Sequence, residues 1–190
     1  MCSLWVLVPS LAATAAFAFL FQVAGRMVAE GGATGLELQK AFTPDRFAAV
    51  ASAWGDGVEA FKSSLMMLDF AFPVIYAIAL SSLVALAGGR EPATALRWLF
   101  VLPWAAAALD WIENLLHLWL LSDVHTAADA AAATFPWAAV MGASLAAMAK
   151  FALLLAASAG AVVLAVRRRL WWAALIGAVL FASFTPVIWA

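Results

Sequence analysis

Long apolar stretches dominate this chain and end where charges gather. Five of them, residues 4–24, 64–88, 98–121, 137–166 and 170–190, reach the roughly 18 residues at which a helix can cross hydrocarbon. The pattern predicts an all-α integral membrane bundle of five transmembrane helices, one membrane domain over residues 1–190. The first run, LWVLVPSLAATAAFAFLFQVAG, has no positively charged n-region and exceeds a typical h-region, so it reads as a retained span. The fourth run is longer than a bilayer requires and must tilt or extend into water. The fifth follows Arg167, Arg168 and Arg169 through a very tight turn.

The segment between the first two runs has a different period. In TPDRFAAVASAWGDGVEAF, Thr43 is an N-cap and Pro44 fits the first helical position. Phe47, Val50, Trp54, Val58 and Phe61 recur at steps of three and four, which predicts an amphipathic helix over 44–62, lying at the outer interface or over the bundle. Its uses are a cap on the spans, a gating lid or a docking helix. Gly55 and Gly57 weaken the helix, at about 1 kcal/mol each relative to alanine.

Composition agrees with a bilayer. Of 190 residues, 67% are apolar and 11% charged, and the mean hydropathy is +1.02; soluble domains lie near 45–50% and about 25%. A net charge of −1 without a basic stripe argues against nucleic acid as a partner. Cys2 is the only cysteine, so neither an internal disulfide nor a cysteine-built metal site is available. Trp5, Trp98, Trp119, Trp137, Trp171, Trp172 and Trp189 fall near span ends, where indole favours the membrane interface.

Lysine and arginine set the orientation. Arg90 and Arg97 separate spans two and three, and the triple arginine separates four and five, whereas SDVHTAADAAAATFP carries none. Basic loops stay cytoplasmic, so the N-terminus is expected inside the plasma (inner) membrane and the C-terminus outside. In the fourth span Gly142, Ala146, Ala149, Ala152, Ala156 and Gly160 form a small-residue face expected to pack against another helix, with homo-oligomerisation as its other use.

Against this background LDWIENLLHLWL stands out. Asp110, Glu113, Asn114 and His117 occupy one helical face of span three. Each ionisable group near a bilayer centre costs about 2.5–3.5 kcal/mol on insertion scales, so the face should point into the bundle or a wet cavity. Span two offers Asp69 and Tyr76, also one face. Antiparallel pairing about a short loop puts Tyr76 level with Asp110 and Asp69 level with His117. Lys150 of span four falls at the depth of Glu113, by counting from Arg97 and Arg167 at about 1.5 Å per residue. Pro73 removes a donor and crowds the carbonyl of Asp69; it either frees that oxygen for the site or only bends the helix. The expected site therefore comprises Asp69, Tyr76, Asp110, Glu113, Asn114, His117 and Lys150, between spans two, three and four, with Trp104, Trp111, Phe70 and Phe72 as apolar walls.

Three functions fit. The site binds an ion or a small polar or lipid ligand; or its network only fixes helix packing in an accessory subunit; or it is an intramembrane acid/base or metal-dependent enzyme. For the last, Glu113-x-x-x-His117 places two ligand types on one turn. HExxH and G-x-S-x-G are absent, and His125 is the only other histidine, expected to face solvent. Haem would need Met66 or Met67 as a ligand. No cofactor is named by any motif. LELQKAFTPDRFAAVASAWG, LDFAFPVIYAIAL and LDWIENLL, within residues 35–116, resemble a pattern in small multi-pass bacterial membrane proteins of unassigned function. That resemblance implies no activity. It implies only that the loop helix, the Asp69/Tyr76 face and the Asp110/Glu113/Asn114 face form one unit.

Overall fold

A computed structural model describes residues 4–28, 34–89 and 93–189, and every element among them is helical. Cys2, Arg90 and the side chains of Met66 and Trp189 lie outside the described residues. The helices are α1 (Leu4–Val28), α2 (Gly35–Gln39), α3 (Pro44–Ala53), α4 (Gly57–Ser64), α5 (Phe72–Gly88), α6 (Ala93–Leu120), α7 (Ala127–Ala132), α8 (Trp137–Arg167) and α9 (Trp171–Trp189). A π-helical turn, Leu65–Asp69, extends α4. Among the described residues three helical stretches are long and apolar enough to cross a membrane: Gly57–Gly88, Arg97–Leu120 and Trp137–Arg167. Leu4–Phe17 and Trp171–Ala182 are apolar but shorter.

The chain divides into two compact units. The first holds residues 1–15, 72–108 and 149–190. Its core joins Leu7 of α1 to Leu83, Val84 and Ala87 of α5, Ala161, Leu164 and Ala165 of α8, and Ala173 and Ala174 of α9. Small residues set the spacing. A Cβ at Gly177 would lie 2.8 Å from Val162, and one at Gly160 would overlap the Leu99 side chain, so these glycines let α9 and α6 approach α8 closely. The turn after α8 is a Schellman motif: Arg169 takes φ of 56°, and its N–H and that of Leu170 donate to Val166 and Ala165. This is how three consecutive arginines reverse the chain with almost no loop.

The buried face of α8 in this unit runs through Lys150, Leu154, Ala157, Ala161 and Ala165. The small-residue face expected from the sequence is covered in part: Gly142, Ala146 and Gly160 are packed, but Ala149, Ala152 and Ala156 are exposed. Alanine is equally apolar on both faces, so its spacing alone could not fix the rotation.

The second unit holds residues 16–71 and 109–148. Its core gathers Phe47, Val50, Trp54 and Val58 with Leu120, Leu121, Val124, Ala130, Phe135 and Val140. The stripe read from the sequence is thus turned inward. The stretch expected as one helix over 44–62 is two: Gly55, at φ of 54°, breaks it after Trp54. Trp54 then stacks on Phe61 across the break, with ring centroids 4.3 Å apart. Thr43 accepts from Arg46 N–H and Pro44 opens α3. Thr126 and Asp129 form a capping box on α7, a short helix inside the segment expected to be a plain loop. Helix α3 packs on α7 and on α2.

Candidate functional site

The second half of α6 is inside out. Asp110, Glu113, Asn114 and His117 are at most 3% exposed, while Trp111, Ile112, Leu115 and Trp119 on the other face are 39–57% exposed. The i, i+3, i+4, i+7 spacing puts the four polar residues on one side, and in this unit that side is covered.

Asp69 reaches the face through its backbone. Pro73 has no N–H to give the carbonyl four residues earlier, which is Asp69's. The helix responds with the π turn and a break at Phe70 and Ala71. Asn114 Nδ2 donates to Asp69 O at 3.2 Å, and Trp111 Nε1 donates to the next carbonyl, Phe70 O, at 3.0 Å. Two side chains of α6 thereby cover the carbonyls at a proline break. Only the amide nitrogen can donate to Asp69 O, which fixes the Asn114 flip. Its Oδ1 is then buried and accepts no hydrogen bond among the described residues.

Glu113 and His117 lie one turn apart, with Oε1 and Nδ1 separated by 3.9 Å. That is too long for a hydrogen bond and is an ion pair when the imidazole is charged. Phe47 of α3 roofs the histidine, its ring centroid 6.0 Å away, and meets Phe135 edge-on at 4.8 Å.

Of the seven residues expected at the site, Asp69, Asp110, Glu113, Asn114 and His117 belong to the second unit. Tyr76 and Lys150 belong to the first. Both are buried there: Tyr76 among Ala77, Leu80, Ala106, Ala107 and Leu154, Lys150 with its ammonium 5.1 Å from the Phe151 ring centre. Trp104 and Trp111, expected as apolar walls, are exposed instead. Among the described residues no group of three or more His, Cys, Asp or Glu side chains is placed to hold a metal ion.

A second polar group in this unit escaped the sequence reading. Lys62 Nζ donates to Leu121 O at 3.3 Å and Val124 O at 3.0 Å, covering carbonyls just past the end of α6. It also pairs with Glu59. His125 is exposed, yet its Nδ1 lies 2.6 Å from the other partner of that pair, Glu59 Oε1. The Glu59-x-x-Lys62 spacing was the available signal; nothing in the sequence tied it to His125. A groove of about 530 Å³ opens nearby, lined in part by Trp119, Asp123, Asp129 and Phe135; its walls do not include Glu113, Asn114 or His117.

Compared with known protein families, curated proteins and solved structures, the chain matches none.

Proposed function

We propose that this is a multi-pass integral membrane protein whose α6 polar face binds an ion or a small polar ligand. The observation that carries this reading is the inverted polarity of α6, with carboxyl, amide and imidazole groups covered and tryptophan and leucine exposed. In water that arrangement loses hydrophobic burial on one side and hydration on the other. In a bilayer the exposed side is solvated by lipid. The exposed indoles of Trp5, Trp98, Trp119, Trp137, Trp171 and Trp172 suit the interfacial zone. The five-span arrangement with the N-terminus inside the plasma membrane follows the charge bias of the loops, with α2 to α4 and α7 on the outer side. Asn114 Oδ1 supports a ligand: it is an acceptor with no hydrogen-bond partner among the described residues, beside Glu113 on a covered face. An unsatisfied buried acceptor costs about 1–3 kcal/mol, which a bound cation, ammonium or hydroxyl would recover.

A second reading is favoured by the bonds from Asn114 and Trp111 to the carbonyls at the proline break. In it the polar face only locks that break and fixes packing. One experiment separates the two. Thermal unfolding of the purified protein in detergent is followed with sodium, potassium, calcium and ammonium chlorides, then with ethanolamine. Ligand binding predicts a rise in midpoint with one of these that saturates with concentration. Glu113→Gln should abolish that rise while the protein stays monodisperse. A midpoint indifferent to every probe, with Glu113→Gln simply less stable, assigns the face to packing. Membrane residence is tested by alkaline carbonate extraction, after which the protein should remain in the pellet.

A further inference from the structure

Glu59, Lys62 and His125 tie two segments of the second unit together. One is α4, which runs straight into the π turn ending at Asp69. The other is the stretch after α6, from Leu121 to His125, beginning four residues beyond His117. Both therefore lead into the residues of the Asp69–Asn114 bond.

Besides the Lys62 bonds to Leu121 O and Val124 O, few contacts hold helix α4. It has eight residues, follows the glycine-rich break at Gly55 and ends in a π turn; Val58 is its one buried side chain. Phe61 packs on Trp54. Segments with few buried apolar contacts open at low free energy, so even the small contribution of an exposed ion pair shifts their opening.

We propose that Glu59 and His125 form a protonation-dependent latch, closed by the imidazolium form, that holds α4 against the end of α6 and keeps the buried polar face covered. The latch stands on its own contacts; its use in admitting a ligand rests on the function proposed above.

The charges around His125 set the direction. Glu59 Oε1 faces its Nδ1 at 2.6 Å. Asp129 of α7 accepts from the His125 backbone N–H at 3.0 Å, and Asp123 lies in the same loop. Lys62 shares Glu59 and also donates to Leu121 O and Val124 O. A neutral imidazole offers one donor, in one tautomer; the imidazolium offers two and makes the bond to Glu59 charge-assisted. Gain of the second ring proton therefore closes the latch and its loss loosens it.

The test is hydrogen–deuterium exchange of the full-length protein in nanodiscs of phosphatidylethanolamine and phosphatidylglycerol, without added ligand, at about pH 5.5 and about pH 8. After correction for intrinsic exchange, peptides covering 57–69 and 121–126 should lose about two- to fivefold protection at the higher pH, the range expected of an exposed pair. His125→Gln should sit at the high-pH level throughout, and His125→Arg at the low-pH level. Both replace an exposed side chain, and Glu59→Gln gives an independent break from the other jaw. A wild-type protein without pH dependence in these peptides, or a His125→Gln variant that keeps it, overturns the latch. Because no ligand is present, a failure of the salt and amine titrations would sink the binding reading and leave the latch standing.

Discussion

Two glutamate–histidine pairs in the second unit have opposite surroundings. Glu113 and His117 are adjacent on one helix, covered by Phe47, and 3.9 Å apart. Glu59 and His125 come from separate segments, lie in the open, and are 2.6 Å apart. The exposed pair has the shorter contact although Lys62 also holds Glu59 and Asp129 holds the His125 backbone: water solvates whatever the pair leaves over, and side chains swing until they meet. The buried pair is held by backbone and packing before it is held by itself. For the same reason its energetic stake is larger. An exposed pair contributes little because water competes for both partners, whereas removing one member of a buried set leaves the others desolvated. The inner pair should therefore answer to mutation and the outer one to pH.

The roof offers the strongest way to break that contrast. Phe47 is fully buried and touches both His117 and Phe135. Phe47→Ala should destabilise the second unit by about 3–5 kcal/mol, the range for deleting a core aromatic ring. It should also bring the amides of residues 113–117 toward the exchange behaviour of the outer pair. Chemical unfolding and hydrogen exchange measure the two effects. Phe47→Leu, which keeps most of the volume, should restore protection; if it does not, packing is not what shields the histidine.

Next in size is the amide that bridges to the proline break. Asn114→Ala removes the donor from Asp69 O and is expected to cost about 1–3 kcal/mol. Pro73→Ala alone should be nearly neutral, since it returns an N–H to position 73 and regular helix becomes accessible. Combined, the second change should recover about 1 kcal/mol of the first, because residue 73 then supplies the donor that Asn114 lost. Strict additivity in thermal unfolding would mean that Asn114 and Pro73 do not act on a common carbonyl.

Much of this was written in residue order. The polar face of α6 was legible because four polar residues at helical spacing in an apolar run have one covered arrangement open to them. The aromatic stripe of α3 and α4 was legible as a stripe, but its destination was not: amphipathicity gives a direction, and a core and a lipid surface both accept phenylalanine and tryptophan. Proline 73 announced a free carbonyl; its acceptor role toward Asn114 depended on which way span two turns, which no spacing encodes. The small-residue face of α8 is covered at Gly142, Ala146 and Gly160 but open at Ala149, Ala152 and Ala156, because alanine and glycine occupy every side of that helix. His125 was read as solvent-facing, and it is exposed, yet Glu59 meets it from 66 positions away. Contacts of that kind arise from the fold and leave no local trace.

The smallest effect concerns α7, and it completes the pH behaviour of the outer region. Asp129 is held below the usual carboxylate range, first by the His125 backbone N–H, then by the Thr126 side chain and backbone. A carboxyl whose folded value is depressed contributes its stabilisation fully above its unfolded value of about 3.9, and loses it as pH falls through the folded value. The capping box should thus fail only in strong acid, opposite in sign to the latch, which protonation of the imidazole strengthens. Protection of residues 121–133 should accordingly rise on mild acidification and decline again in strong acid. Asp129→Asn keeps an acceptor but carries no charge, so it should flatten the acid limb while leaving the neutral limb intact. His125→Gln should do the reverse. If a single substitution abolished both limbs, the two carboxylates would be acting as one group, and the separation of cap from latch would be lost.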